Sequence, residues 1–345
     1  MIAIKNLNLK VGTFELKDIN LDIKKGEYFV ILGPTGSGKS CILKCIAGLY
    51  KMDSGELYIG NKLSNNIPIE ERNIGYVFQD STLFPHLNVY QNITFGLRLK
   101  RMQKGLIENK VSSICKLFAI CDLLKRPVDN LSGGEKQRVS LARSMICEPK
   151  AILLDEPFSS LDRNTAERLM VEIKRIHAQT RQTIIHVTHN QEEAAVLADR
   201  ICILKDGNIV QVGTFDEILT KPNSEFVADF FCTHNIFSGF SVIEGNVSKM
   251  EYNGICIYSS RLRSGEVAFS IRPEDVVISL NKEKGINSFR GTIKEIIDKG
   301  VIIQILVDVG FLIVSYSLRS SFLTMGLKEG DSVNIYFDKN AVHII

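Results

Sequence analysis

One turn, Gly33-Pro34-Thr35-Gly36-Ser37-Gly38-Lys39-Ser40, sits between the unbroken apolar run Tyr28-Phe29-Val30-Ile31-Leu32 and a helix-patterned segment. A run without a polar position fits a strand buried on both faces, the usual state of a parallel sheet covered by helices. Strand, glycine-rich turn and helix in that order are the context that gives a P-loop match its meaning. The glycines let backbone N–H groups turn inward around phosphate oxygens, and the helix N-terminus adds a field that favours an anion. Lys39 is then expected to reach the β and γ phosphates of ATP, and Ser40 to ligate Mg2+.

The rest of the first two-thirds of the chain supports this. The apolar stretches Ala151 to Leu154 and Thr183 to Val187 each run into polar loops and helix-like segments, an α/β alternation. The first ends in Asp155-Glu156-Pro157, placing two carboxylates where open α/β sheets bind ligands. Asp155 suits the metal shell, and Glu156 suits orientation or deprotonation of an attacking water. Leu131-Ser132-Gly133-Gly134-Glu135-Lys136-Gln137-Arg138 is a second glycine turn opening a helix, with a second set of free N–H donors for phosphate.

Taken in order, the P-loop, Gln79, Leu131 to Arg138, Asp155-Glu156, Ser159-Ser160-Leu161-Asp162 and His189 resemble the motif series of the ATP-binding cassette family, over about residues 1–230. The resemblance implies an α/β P-loop NTPase with a helical subdomain. It assigns catalytic roles to Glu156, His189 and Gln79, with Ser40, Gln79 and Asp155 around Mg2+. ATP is held by Gly33, Pro34, Thr35, Gly36, Ser37, Gly38, Lys39 and Ser40, and by Ser132, Gly133 and Gly134 of a second subunit in a head-to-tail homodimer. Asp162 would lie at the subunit boundary, while His186 keeps a structural reading. Where the family stacks adenine on an aromatic, this chain aligns Val11, with Phe14 three residues on as the candidate replacement.

Past Lys221-Pro222-Asn223 helical spacing becomes scarce, which predicts a cassette over 1–230, a linker over 231–236 and an all-β, OB-like barrel regulatory domain over 237–345. That tail repeats itself. Asn235-Ile236-Phe237-Ser238-Gly239 matches Asn287-Ser288-Phe289-Arg290-Gly291, and Glu266 to Ile271 matches Ser332 to Phe337, as two small β units would.

A cassette followed by such a tail resembles the ATPase subunits of importers. Within them, Gly26 to Gly36 and Asn92 to Lys100 look most like those for molybdate and tungstate; sulfate, ferric iron, polyamine and sugar are the alternatives. Ser81 to Tyr90 resembles the site that receives the coupling helix of a permease. The tail resembles a molybdate-binding barrel, implying a regulatory oxyanion site at Asn287, Ser317, Ser320 and Lys339. Where that barrel offers basic residues, just before Asn287 and just after Phe337, this chain has Ile286 and Asp338. Lys339 could compensate only with a shifted strand.

Composition removes other classes. Lys and Arg number 42 against 39 Asp and Glu, too even for a nucleic-acid binder working by a bulk basic field. No apolar run approaches the roughly 18 residues of a span, and no secretory pattern opens the chain. The resemblance implies a peripheral place on the cytoplasmic face of the cell membrane, with transmembrane permease subunits as partners and, indirectly, an extracytoplasmic binding protein. The 8 cysteines, with no Cys-x-x-Cys pair, read as reduced and structural.

Overall fold

The computed structural model describes residues 1–80, 82–231, 234–281 and 285–345. Ser81, Cys232 and part of the expected 231–236 linker lie outside the described residues. The chain forms two compact units, Met1–Phe215 and Asp216–Ile345.

The first unit opens with β1 (Ile2–Val11), β2 (Phe14–Ile23) and β3 (Tyr28–Leu32), then α1 (Lys39–Ala47), β4 (Ser54–Ile59), β5 (Lys62–Leu63) and β6 (Ile74–Val77). Next come α2 (Val89–Leu99), α3 (Lys104–Leu117), α4 (Gly133–Met145), β7 (Ala151–Asp155) and α5 (Arg163–Thr180). The unit ends with β8 (Thr183–Thr188), α6 (Gln191–Leu197), β9 (Arg200–Lys205) and β10 (Asn208–Gly213). Its main sheet has the order β10-β9-β3-β8-β7-β6 and is parallel except for β10, while β2-β1-β4-β5 is an antiparallel sheet. Every residue of β3, β7 and β8 is buried, as their apolar runs predict. Leu32 pairs with Thr188, and Asp155 with Val187, so three strand ends lie side by side at one edge.

Two helices start on reciprocal capping boxes, Asn88 with Gln91 for α2 and Ser132 with Glu135 for α4. Asn92, fully buried, ties the incoming chain to α2 through its bonds to Phe84 N and to the carbonyls of Phe84, Leu87 and Asn88. The expectation of reduced cysteines needs one correction, because Cys115 and Cys121 form a disulfide. After α3 the chain reverses at Ala119, whose φ is +49°, and returns Cys121 to within 4.8 Å of Cys115, Cα to Cα. A six-residue separation with a reversal inside it escapes a search for shorter cysteine spacings.

The second unit begins with α7 (Phe215–Thr220) and α8 (Glu225–Phe230), then turns to strands: β11 (Asn235–Glu244), β12 (Val247–Tyr252), β13 (Ile255–Ser259), β14 (Gly265–Ile271) and β15 (Val277–Ser279). The second half has β16 (Asn287–Asp298), β17 (Ile302–Asp308), β18 (Leu312–Leu318), α9 (Arg319–Met325), β19 (Ser332–Phe337) and β20 (Val342–Ile344). Its two sheets, β13-β12-β11-β14-β20 and β18-β17-β16-β19-β15, are the same sheet twice. The repeat seen in the sequence is thus structural. Asn235 pairs with Ile271 and Asn287 with Phe337; Gly239 pairs with Val267 and Gly291 with Val333.

The last strand of each half completes the sheet of the other, β15 on β19 and β20 on β14. Side chains reinforce the exchange. Asn235 accepts from Val314 N and donates to Val314 O, and Asn287 does the same with Tyr258. Ser259 donates to Val342 O as Ser315 does to Val276 O. One apolar core, including Phe237, Phe269, Ile305, Ile335 and Phe337, is drawn from both halves.

Candidate functional site

The turn after β3 is shaped by its glycines. Gly38 has φ +100°, where a side chain would be strained, and a Cβ there would lie 2.5 Å from the Phe14 ring. At Gly33 a Cβ would come within 2.1 Å of Leu204 O, so the turn rests directly on β9. Lys39, 5% exposed, folds its Nζ back to donate to Gly33 O at 2.9 Å and Pro34 O at 2.8 Å. Burial lowers its pKa, while Glu156 and Asp155 oppose that shift. A cation is thereby fixed inside a ring of backbone dipoles.

Asp155 closes the other side. Ser40 Oγ donates to its Oδ1 and the Tyr76 hydroxyl to its Oδ2, both at 2.7 Å. Burial, then the bond to Asp155, pushes the Tyr76 phenol far up, which keeps it a donor. Hydroxyl and carboxylate oxygens side by side are the hard donors that Mg2+ takes. Among the described residues no group of three His, Cys, Asp or Glu could hold a metal, so an ion here would need phosphate or water ligands as well.

Glu156 follows in the left-handed region at φ +46°, held by its N–H to Val187 O at 2.9 Å and by Ser159 Oγ donating to its carbonyl. Such a backbone is costly for a non-glycine residue and recurs at functional sites. His189 Nδ1 lies 3.4 Å from Glu156 Oε1. Glu156 and His189 line one cavity of about 410 Å³, and Glu156 also lines a neighbouring one of about 360 Å³ with Val11, Phe14, Thr35, Gly36, Gly38, Lys39, Ser40 and Cys41. Phe14 therefore stands at the wall of the phosphate-binding turn, and Val11 beside it.

Other expected residues lie elsewhere. Gln79 is exposed on the turn after β6. Ser132, Gly133 and Gly134 form the start of α4 and line neither cavity. Asp162 caps α5 by accepting from Thr165 N, and its hydrogen bonds from Thr165 lower its pKa. In the helical region Phe84 packs on Phe95, with Arg143 over its ring.

The four residues expected to hold an oxyanion do not converge. Asn287 is buried with its carbonyl and one amide proton taken by Tyr258, so its part is to pin the repeat. Lys339 lies beside β13, its carbonyl accepting from Ser260 N, whereas Ser317 and Ser320 belong to β18 and α9 in the other sheet. No shifted strand brings Lys339 in, since Asn287 still pairs with Phe337 and Asp338 caps the next turn through Asn340 N.

Ser317 instead lines a cavity of about 500 Å³ with Phe231, Glu274, Ile302, Tyr316 and Leu318. Around it stand basic side chains that sequence reasoning missed: His234 against the Tyr316 ring, Lys299 over that ring at 5.4 Å, and Arg272 paired with Glu274. The repeat could have found two of them. Carried to the first half, the positions just before Asn287 and just after Phe337 become His234 and Arg272.

Comparison with known proteins bears on this geometry. The ABC transporter profile matches residues 16–159 and the TOBE domain profile residues 284–344. The chain is 38% identical to the molybdate/tungstate import ATP-binding protein WtpC of Pyrococcus abyssi, with all of both chains covered. It is 39% identical to the spermidine/putrescine import ATP-binding protein PotA of Borrelia garinii subsp. bavariensis, over 97% of this chain and 94% of the other. Among solved structures, the dimeric ATP-binding cassette MJ0796 with ADP and Pi aligns with TM-score 0.55 and 33% identity, over 62% of this chain and 99% of the other. The cassette cbiO1 of Clostridium perfringens, part of the transporter complex cbiONQ, aligns with TM-score 0.58 and 31% identity, over 63% and 89%.

Proposed function

The chain belongs to the ABC transporter ATPases, with a TOBE domain at its C-terminal end, and from that membership we propose that it powers import of molybdate or tungstate. The observation that carries the reading is the joined set of Lys39 in the turn, Ser40 on Asp155, and Glu156 beside His189. Inward N–H groups of the turn and Lys39 bind the β and γ phosphates. Ser40 and Asp155 would hold Mg2+, which supplies charge neutralisation on the phosphate oxygens. Glu156 orients the attacking water and draws its proton, and His189 contacts the γ-phosphate. Phe14 offers the adenine a face.

The turn at Ser132–Gly134 lines neither cavity of this chain's site, which supports a head-to-tail homodimer in which it closes over the partner's ATP. The dimeric cassette MJ0796 and cbiO1, a part of the ABC transporter complex cbiONQ, support a dimer and a transporter complex as the working forms. No helix among the described residues is long and apolar enough to cross a membrane. Family membership supports a place on the cytoplasmic face, on permease subunits fed by an extracytoplasmic binding protein, with Gln79 and the Phe84 region at the permease. The ATPase domain is assigned to 1–230, the linker to 231–236 and the regulatory domain to 237–345.

For cargo, the likeness to the molybdate/tungstate importer extends over the whole chain, as does that to a spermidine/putrescine import protein of Borreliella afzelii at the same 38%, so the basic side chains near Ser317, which suit a tetrahedral oxyanion, carry the choice. Polyamine import is the second reading, favoured by the 39% identity to a spermidine/putrescine protein. Vesicles holding the complete transporter decide between them. Tungstate uptake that consumes ATP supports the first reading, and spermidine uptake without tungstate uptake overturns it.

A further inference from the structure

His186, three residues before His189, is fully buried and makes contacts that a core histidine does not need. Its Nδ1 lies 3.2 Å from the Tyr28 hydroxyl, on the strand that launches the phosphate-binding turn. Its Nε2 lies 3.2 Å from Glu193 Oε2, on α6, the helix that begins two residues after His189. Its ring meets Phe158 edge-on with centroids 5.6 Å apart, and Phe158 stands two residues after Glu156. One imidazole thus touches all three segments that carry phosphate-facing groups.

We propose that His186 is a positioning residue that, through Glu193, Phe158 and Tyr28, sets the distance between Glu156 and His189 for hydrolysis. The proton order follows from the chemistry of the partners. A carboxylate has no proton to give, so Nε2 carries one toward Glu193, and Nδ1 accepts from Tyr28. Burial first, and then Glu193, hold the Tyr28 phenol well above its usual value, so it remains a donor. Nε2 and Oε2 attract without being aligned as a hydrogen bond, and both atoms are buried with no other hydrogen-bond partner. Removing either group abandons the other, a cost the fold can relieve by letting α6 move.

Ties to the His189 turn include one on each side. On the strand side Asn190 N donates to Thr188 Oγ1 at 3.0 Å; on the helix side Glu193, itself 6% exposed, faces His186. Loss of the second tie lets His189 drift from its 3.4 Å contact with Glu156 while leaving Lys39, Ser40 and the turn in place. The expected kinetic signature is therefore on kcat and not on KM, because misplacement of about 1 Å can cost up to a hundredfold in turnover.

The inference rests on the roles given to Glu156 and His189, so Glu156→Gln is measured in parallel. His186→Phe fills the same space between Tyr28 and Phe158 but deletes both nitrogens. It should lower kcat about tenfold or more with KM for ATP within about twofold, whereas Glu193→Gln, which keeps an acceptor for Nε2–H, should stay within about threefold. If His186→Phe does not fold, Tyr28→Phe decides by the same ratio, with an expected loss of about threefold in kcat. A lowered Tm with unchanged kcat in the decisive variant makes His186 merely structural and overturns the proposal. Full turnover in Glu156→Gln would instead overturn the roles beneath it.

Discussion

Replacing Asn235 by Ala should unravel the strand exchange of the second unit, and by an amount that the geometry sets. The side chain is 1% exposed, accepts from Val314 N at 2.6 Å and donates to Val314 O at 2.8 Å. Truncation leaves one buried N–H and one buried C=O without partners, each costing about 1–3 kcal/mol, so the loss should be about 2–6 kcal/mol. Asn287→Ala removes the matching pair at Tyr258, at 2.8 and 2.9 Å, and should cost about the same. Asn235→Asp is the informative control. It can still accept from Val314 N but sets a carboxylate oxygen against Val314 O, so it should be no better than Ala. Urea unfolding of the full chain followed by a probe in the second unit gives the energies, and hydrogen exchange reads the Val314 and Tyr258 amides directly. Losses under about 0.5 kcal/mol with both amides still protected would refute the idea that these side chains pin the two halves together.

Three other perturbations give separate checks. Lys39→Ala should weaken ATP binding at least about tenfold, because it removes a charge-assisted contact to phosphate, and unchanged affinity in a titration would contradict its place in the turn. Burial lowers the His177 pKa, so protonation disfavours the folded state. Its stabilising share is whole above the unfolded value near 6.5 and drains as pH falls toward the lowered one; His177→Gln should flatten the Tm profile below about pH 6.5, and an unaltered profile would refute this. Thiol titration of the unfolded chain should find two fewer thiols before reduction than after, as the Cys115–Cys121 bond requires, and equal counts would contradict it.

The catalytic half was legible because its signals are local. The apolar run at 28–32, the glycines of the turn and the carboxylates at 155 and 156 each declare their own place, and parallel pairing brings their ends together. Tail geometry was less legible because it depends on exchange between halves. Sequence shows that Asn235 and Asn287 begin equivalent strands, but only the fold reveals that each reaches across to bind the other half. That exchange also separates Lys339 from Ser317 and makes the first-half basic residues, His234 and Arg272, the ones beside the Ser317 cavity. His186 was hidden for a related reason. Its partners Tyr28, Phe158 and Glu193 are far apart in sequence, and a buried histidine has no motif of its own.

The central claim, hydrolysis of ATP at Glu156, is tested most directly by single-turnover and steady-state ATPase assays on purified Glu156→Gln. The account predicts ATP affinity near that of the wild type, turnover reduced at least about a hundredfold, and ATP-bound dimers that persist long enough to be isolated. Near-normal turnover, with contaminating ATPases excluded, would contradict it.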